Sequence, residues 1–179
     1  MKHFVVIDMQ NDFCTGALPN KEAVAAIPFI KARLKEAKSN GDNIIFTRDT
    51  HFSNYLETNE GKHLPIPHCI SGEKGWEIVP ELMEETDENT VFIDKFHFGY
   101  DNWENFIKEG DEVVMVGTCT DICVISNALA LKQIDDVEVT VLAEGCAGLN
   151  PTLHEQALFV MGSCQVKVID NYDVWKKGK

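Results

Sequence analysis

The sequence predicts an α/β fold: a doubly wound, mainly parallel six-stranded sheet with helices on both faces. Three observations lead there. Short runs rich in Val, Ile and Phe alternate along the chain with longer segments of helical period. The apolar runs are nearly continuous, as in strands buried on both faces. Strand and helix follow one another in turn, the order that builds βαβ units. No compositional shift, internal repeat or low-complexity stretch divides the chain, so residues 1–179 are expected to form one domain.

The first strand is His3–Asp8 (HFVVID). Glu22–Ser39 places Val24, Ile27, Ile30, Leu34 and Ala37 at helical spacing, and Asn40-Gly41 supplies the stop. Asn43–Arg48 (NIIFTR) is the second strand. Asp49 to Gly75 has weak periodicity, two prolines (Pro65 and Pro67) and several glycines, and loops this long are commonly functional. Thr90–Asp94 is the third strand and Trp103–Lys108 a short helix. Glu112–Gly117 is the fourth strand, Asp121–Gln133 a helix and Val137–Leu142 the fifth strand. Thr152–Gly162 is helical and Gln165–Ile169 is the sixth strand.

Lys and Arg number 16 against 29 Asp and Glu, a net charge of −13. That argues against a nucleic-acid or anionic-membrane partner, since phosphate binding needs a basic face. No apolar run is long enough to span a bilayer, and MKHFVVIDMQNDF lacks the pattern of an export leader, so a cytoplasmic protein is expected. Cys14, Cys69, Cys119, Cys123, Cys146 and Cys164 are then expected as free thiols. No pair of CxxC motifs suggests a structural zinc built on them.

A doubly wound sheet binds its ligand beyond the carboxyl ends of its strands. The first strand ends in Asp8, the third at Asp94-Lys95, and the fourth runs into GTCTDIC, which opens a helix at about Cys123. Singly, Asp8 reads as a turn cap, Lys95 as a solvated charge, Cys123 as a small buried residue and Asp121 as an N-cap. Together they suit nucleophilic catalysis. A thiol is mostly protonated at neutral pH and must be activated. A nearby Lys and a helix start each favour the thiolate. A carboxylate in reach can take the thiol proton and return it to a leaving amine. Gly117 allows a tight turn whose backbone N–H groups can hold an oxyanion.

DMQNDF after the first strand, the Lys closing the third, and GTCTDICV resemble the cysteine hydrolases of the isochorismatase-like superfamily, whose best-known members are nicotinamidases. The resemblance covers nearly the whole chain in the right order, and implies the isochorismatase-like, Rossmann-like form of this fold. It implies a catalytic triad of Asp8, Lys95 and Cys123, a non-proline cis peptide at Thr118–Cys119, and an oxyanion hole formed by the N–H groups of Cys119 and Cys123. Members that cleave vinyl ethers keep the acid and the lysine and lack the cysteine, so Cys123 points to amide hydrolysis. The implied reaction cleaves the C–N amide bond of a small molecule through a cysteine thioester, nicotinamide to nicotinate plus ammonia, a step of NAD salvage. The resemblance also implies a homo-oligomer and no organic cofactor.

Asp49 and His51 are two apart in TRDTHF and share a face of an extended chain, and His68 follows in LPIPHC. Carboxylate and imidazole suit zinc, iron or manganese, although spacing alone favours a purely structural role. The resemblance implies a divalent metal on Asp49, His51 and His68, with Glu60 preferred as fourth ligand and Glu57 and His63 as alternatives. Such a metal sits beside the substrate, where it binds a ring nitrogen or organises water. Phe13, Phe96 and Tyr100 are expected to wall an apolar pocket, with Phe98 also a candidate and Trp103 read as core. His3 and His154 read as structural or surface residues, and His97 as packed or facing the pocket.

Two features depart from the usual nicotinamidase pattern. HLPIPH lacks the Trp often found shortly before the P-H-C histidine, and KFHFGYDNW is atypical after the lysine. Another small amide, or an N-carbamoyl or ureido compound, is therefore the enzymatic alternative. A catalytically silent scaffold that binds a partner or metabolite is the alternative of another class, and one unusually reactive thiol would separate them.

Overall fold

Six strands, β1 (Lys2–Ile7), β2 (Asn43–Asp49), β3 (Val91–Lys95), β4 (Glu112–Thr118), β5 (Glu138–Ala147) and β6 (Lys167–Ile169), form one sheet in the order β3-β2-β1-β4-β5-β6. The structure, a computed structural model, describes residues 1–178. Every strand pairing is parallel. The helices are α1 (Asn11–Cys14), α2 (Lys21–Asn40), α3 (Asn59–His63), α4 (Pro80–Met83), α5 (Ile125–Leu131), α6 (Pro151–Ser163) and α7 (Tyr172–Lys177). Among the described residues no helix is long and apolar enough to cross a membrane.

Because neighbouring side chains on a strand point to opposite faces, β1 feeds two cores at once. Phe4 and Val6 join Ala23, Ile27, Ile30 and Leu34 of α2, with Leu82 of α4 beside them. Val5 and Ile7 join Val124, Ala128 and Leu131 around α5, and Leu158 and Met161 of α6, on the other face. Burying each large apolar side chain contributes about 1.5–3 kcal/mol, which is why the near-continuous apolar strands sit centrally. The ends of α2 match their chemistry. The Asn20 side chain accepts the Ala23 N–H at 3.0 Å, and Gly41 closes the helix at φ +78, donating to Ala37 and Lys38.

Strand order reverses between β1 and β4, where an open α/β sheet leaves a crevice. The register aligns the strand ends there: Ile7 pairs with Thr47 and Gly117, and Asp49 pairs with Lys95. Asp8, Asp49, Lys95 and Cys119 consequently share one edge.

Several boundaries differ from the sequence reading. The expected 121–133 helix begins as a π-helical turn at Thr120–Val124, with α5 following. Strand β5 runs to Ala147, five residues beyond Leu142, because a register shift between Met115 and Gly117 lets it keep pairing with β4. The Trp103–Lys108 helix is only a 3-10 turn over Trp103–Asn105. The 49–75 stretch contains α3 and 3-10 turns at Tyr55–Glu57 and Lys74–Trp76, all too short to carry a helical period. Short α1, α4 and α7 escaped the pattern for the same reason.

Candidate active site

Asp8, Lys95 and Cys123 are all buried and meet at the crevice. Lys95 Nζ lies 2.6 Å from Asp8 Oδ2, 3.6 Å from Cys123 Sγ and 3.6 Å from Asp49 Oδ1. It also donates to the His97 carbonyl at 3.2 Å. Asp8 follows β1 at φ +50, a left-handed conformation that aspartate tolerates better than most residues. Its Oδ1 accepts the Thr47 hydroxyl at 2.6 Å, which pins the carboxylate.

Burial is the largest influence on all three groups, and it sets the direction for Asp8 and Cys123 but not for Lys95. It raises the Asp8 carboxyl above the ordinary range, with Lys95 pulling back and Asp49 adding to the rise. Burial alone would lower the Lys95 ammonium. The negative charges around it, Asp8 first, hold it high instead, so Lys95 stays cationic. For Cys123, burial pushes the thiol well up. Lys95 opposes that, and the neighbouring carboxylates, with a hydrogen bond to Asp8, reinforce it. Lys95 thus acts in the expected direction, favouring the thiolate, but desolvation outweighs it, and the thiol keeps the proton that Asp8 is placed to take. A protonated thiol beside a carboxylate of raised pKa can pass its proton to that carboxylate as it attacks.

The turn after β4 carries the thiol. The Thr118–Cys119 peptide is cis. Gly117 has φ +128, and a Cβ there would sit 2.1 Å from the Ile7 carbonyl oxygen, so only glycine allows β1 and β4 to meet this closely. Thr118 Oγ1 donates to the Ala147 carbonyl at 3.0 Å, and Thr120 Oγ1 and His154 Nδ1 are hydrogen-bonded at 2.8 Å. Asp121 is not an N-cap: its Oδ1 accepts the Leu149 N–H at 2.9 Å, tying the turn to the loop before α6. Asn127 accepts the Tyr100 N–H and the Trp103 indole N–H, and donates to the Phe98 and Cys123 carbonyls. That joins the segment after Lys95 to the turn that carries Cys123.

Asp49, His51, Glu60 and His68 offer four ligand atoms all within 4.8 Å of one another. His51 Nε2 lies 3.0 Å from Asp49 Oδ2 and 3.6 Å from Glu60 Oε1. His68 Nε2 lies 3.5 Å and 3.6 Å from the same oxygens. Zinc–ligand bonds of about 2.0–2.2 Å in a tetrahedron give ligand edges of about 3.3–3.6 Å, so these spacings fit a small divalent ion. His68 Nδ1–H donates to the Ile66 carbonyl at 2.8 Å, leaving Nε2 as a lone-pair donor. Burial and the Asp49 charge both raise the Glu60 carboxyl, the mark of crowded anions that a cation would relieve. Glu57 is outside this cluster, and His63 lines the pocket but bonds through Nδ1 to the Asn59 carbonyl.

One pocket holds this cluster together with Cys119 and Cys123. Phe13 and Phe96 line it, as do Phe98 and His97. Tyr100 does not and is a correction: its ring packs on Trp103 and Phe106 at 5.5 and 6.4 Å, drawn inward because Asn127 holds its backbone. Trp103 is core, as read. His3 is buried against Asp111 at 3.0 Å.

Three supporting residues escaped the sequence reading. Gln10 donates to the Asp49 and Trp76 carbonyls and accepts the Asp49 N–H, clamping a metal-cluster residue by its backbone. Thr47 holds Asp8. Tyr55 is buried and sets its ring edge-on to His51 and His68 at 4.8 and 5.0 Å. Gln10 and Thr47 lie within the DMQNDF and TRDTHF motifs, which is the only sequence signal they give. Tyr55 gives none.

With this geometry in hand, likeness to known proteins is specific. A profile of the isochorismatase domain family matches residues 2–173. The nicotinamidase/pyrazinamidase of Mycobacterium tuberculosis is 27% identical over 167 residues, covering 80% of this chain and 89% of that protein. The nicotinamidase of Escherichia coli is 25% identical, covering 82% and 83%. The crystal structure of a Pyrococcus horikoshii pyrazinamidase in complex with zinc superimposes with a TM-score of 0.79 at 29% identity, covering 95% of this chain and 99% of that one.

Proposed function

The chain belongs to the isochorismatase domain family, and from that premise we propose that it is a single-domain cysteine amidohydrolase that converts nicotinamide to nicotinate and ammonia. The observation that carries the reading is Lys95: its ammonium lies between Asp8 at 2.6 Å and the Cys123 sulfur at 3.6 Å, and Cys123 lines the pocket that also holds the Asp49, His51, Glu60 and His68 cluster.

Asp8 accepts the Cys123 proton as sulfur attacks the carboxamide carbon. The ion pair with Lys95 then gives way to a protonated Asp8 beside an ammonium, and Lys95 stabilises negative charge on the reacting centre. Backbone N–H groups of Cys119 and Cys123 hold the carbonyl oxygen as it becomes an oxyanion. The tetrahedral adduct collapses, the C–N bond breaks, and Asp8 returns its proton to the departing ammonia. Water then attacks the thioester with Asp8 again as base, releasing the acid and regenerating the thiol. Asp49, His51, Glu60 and His68 would hold a divalent ion, zinc, iron or manganese, which when bound supplies a Lewis-acidic point for a ring-nitrogen lone pair.

The test is ammonia release from nicotinamide with nicotinate identified as co-product. Native protein should turn over, and Cys123→Ala, with unchanged circular dichroism, should not. Equal turnover by both proteins would remove Cys123 from the mechanism.

A further inference from the structure

The pocket is far larger than the reaction requires. Its volume is about 1210 Å³, whereas a one-ring amide displaces on the order of 100–150 Å³ and pockets for drug-sized ligands run to about 300–1,000 Å³. Cys119, Cys123 and the Asp49, His51, Glu60 and His68 cluster take up only part of its wall. Most of the rest of the wall is built by four segments remote in sequence: the stretch leading into α2, the stretch from α3 to His68, the loop after Lys95 and the loop after β5. It is apolar. Leu18, Leu64, Ile66, Phe96, Phe98 and Leu149 face this space. Ile66, Phe98 and Leu149 remain 40%, 45% and 59% exposed, an apolar surface with no covering element. Phe96 is further braced by stacking on Phe52, with ring centres 5.9 Å apart. Exposed apolar side chains lining the mouth of a cleft suit the apolar contact area of a ligand.

The charges bordering the pocket disfavour an anionic tail. Lys21 and Glu22 both border the pocket and lie 3.8 Å apart, so they offset one another. Glu60 and Asp49, with a net charge of −13 over the chain, disfavour a carboxylate or phosphate on the ligand.

We propose that the substrate class is neutral primary amides whose acyl part carries an extended apolar body, reaching from Cys123 past Phe98 and Leu64 to Leu149. This rests on the amidohydrolase reading and names the substrates for which that site is shaped. The reacting end recognises the carboxamide, as for nicotinamide. The outer wall then adds transition-state binding in proportion to the apolar surface it covers.

The experiment is a homologous series: straight-chain primary amides from acetamide to decanamide, and nicotinamides bearing n-butyl at each open ring position. Ammonia release is measured with the native protein. Affinity is measured in parallel by calorimetry on Cys123→Ala, so that binding is read without turnover. Each methylene that reaches the wall should raise kcat/KM, and the affinity of the variant, about fourfold up to a plateau. At least one butyl nicotinamide should exceed nicotinamide by about tenfold or more. Phe98→Ser and Leu149→Ser should flatten the slope. A flat or falling series together with good nicotinamide turnover overturns this proposal and leaves the amidohydrolase standing. A rising affinity series with no ammonia from any amide retains the extended pocket and overturns the hydrolytic reading. Flat binding with no turnover overturns both. A slope unchanged in the Phe98 and Leu149 variants, with a change in oligomeric state on gel filtration, also overturns it by assigning the rim to contact between copies.

Discussion

Replacing Asp8 with Asn tests the buried array on two independent scales. The side chain keeps its shape and the Thr47 hydroxyl can still donate to Oδ1. The amide nitrogen must then face Lys95 Nζ, 2.6 Å from where Oδ2 stood, so a donor meets a donor. The ammonium loses its nearest anion inside the fold and keeps only Asp49 Oδ1, at 3.6 Å. At an effective dielectric of ~20 the lost attraction is of order 6 kcal/mol gross and that to Asp49 about 5, so Lys95 stays partly paired. Breaking one side of a buried pair costs about 3–5 kcal/mol net. Removing the proton acceptor should lower kcat/KM by about 10²–10⁴-fold. Urea denaturation and ammonia release read the two effects separately. The control is Asp8→Asn with Lys95→Met, which removes the stranded charge: stability should recover most of the loss while activity stays absent. If Asp8→Asn is within about 1 kcal/mol of the native protein and keeps more than about a tenth of its turnover, both the buried pairing and the base assignment are wrong.

The pH dependence follows from the same burial. Asp8 must be ionised to accept the thiol proton, and burial raises its carboxyl above 3.8. Thus kcat/KM should be full above that raised pKa and fall as pH drops through it, with a midpoint above that of an ordinary carboxylate; a midpoint at or below 3.8 would contradict this. Gly117→Ala puts a Cβ 2.1 Å from the Ile7 carbonyl oxygen at φ +128; destabilisation of about 3 kcal/mol or more is expected from thermal or urea unfolding, and a fully stable variant would refute the close approach. Treatment with a chelator should lower both Tm and nicotinamide turnover, and Zn²⁺, Fe²⁺ or Mn²⁺ should restore them, because a ligand bound only to the folded state stabilises it; a Tm unmoved by chelator and metal alike in protein shown to carry the ion would count against Asp49, His51, Glu60 and His68 as ligands.

The alternation of apolar runs with helical periods determined the sheet, its parallel sense and the placement of Asp8, Lys95 and Cys123 at strand ends. Those signals lie in residue type and order: a strand is apolar because both its faces are covered, and Gly41 answers a demand of its immediate backbone, whereas the structure shows Gly117 answering the approach of β1 as well. The metal cluster was legible only in part. Asp49 and His51 share a strand, but Glu60 and His68 come from short elements with no period, and Glu60, preferred over Glu57 and His63 on the resemblance alone, is brought to the cluster by α3. Tyr100 shows the same limit from the other side: an aromatic beside a catalytic motif looked like pocket wall, until Asn127, 27 residues on, drew it inward. The raised thiol of Cys123 is likewise a tertiary outcome, since the desolvation that outweighs Lys95 comes from the core on the α5 face closing around one sulfur. Residue type and spacing determine what chemistry is available, whereas burial, pKa and the size of the pocket arise from contacts between segments far apart in the chain, and only the folded structure decides those.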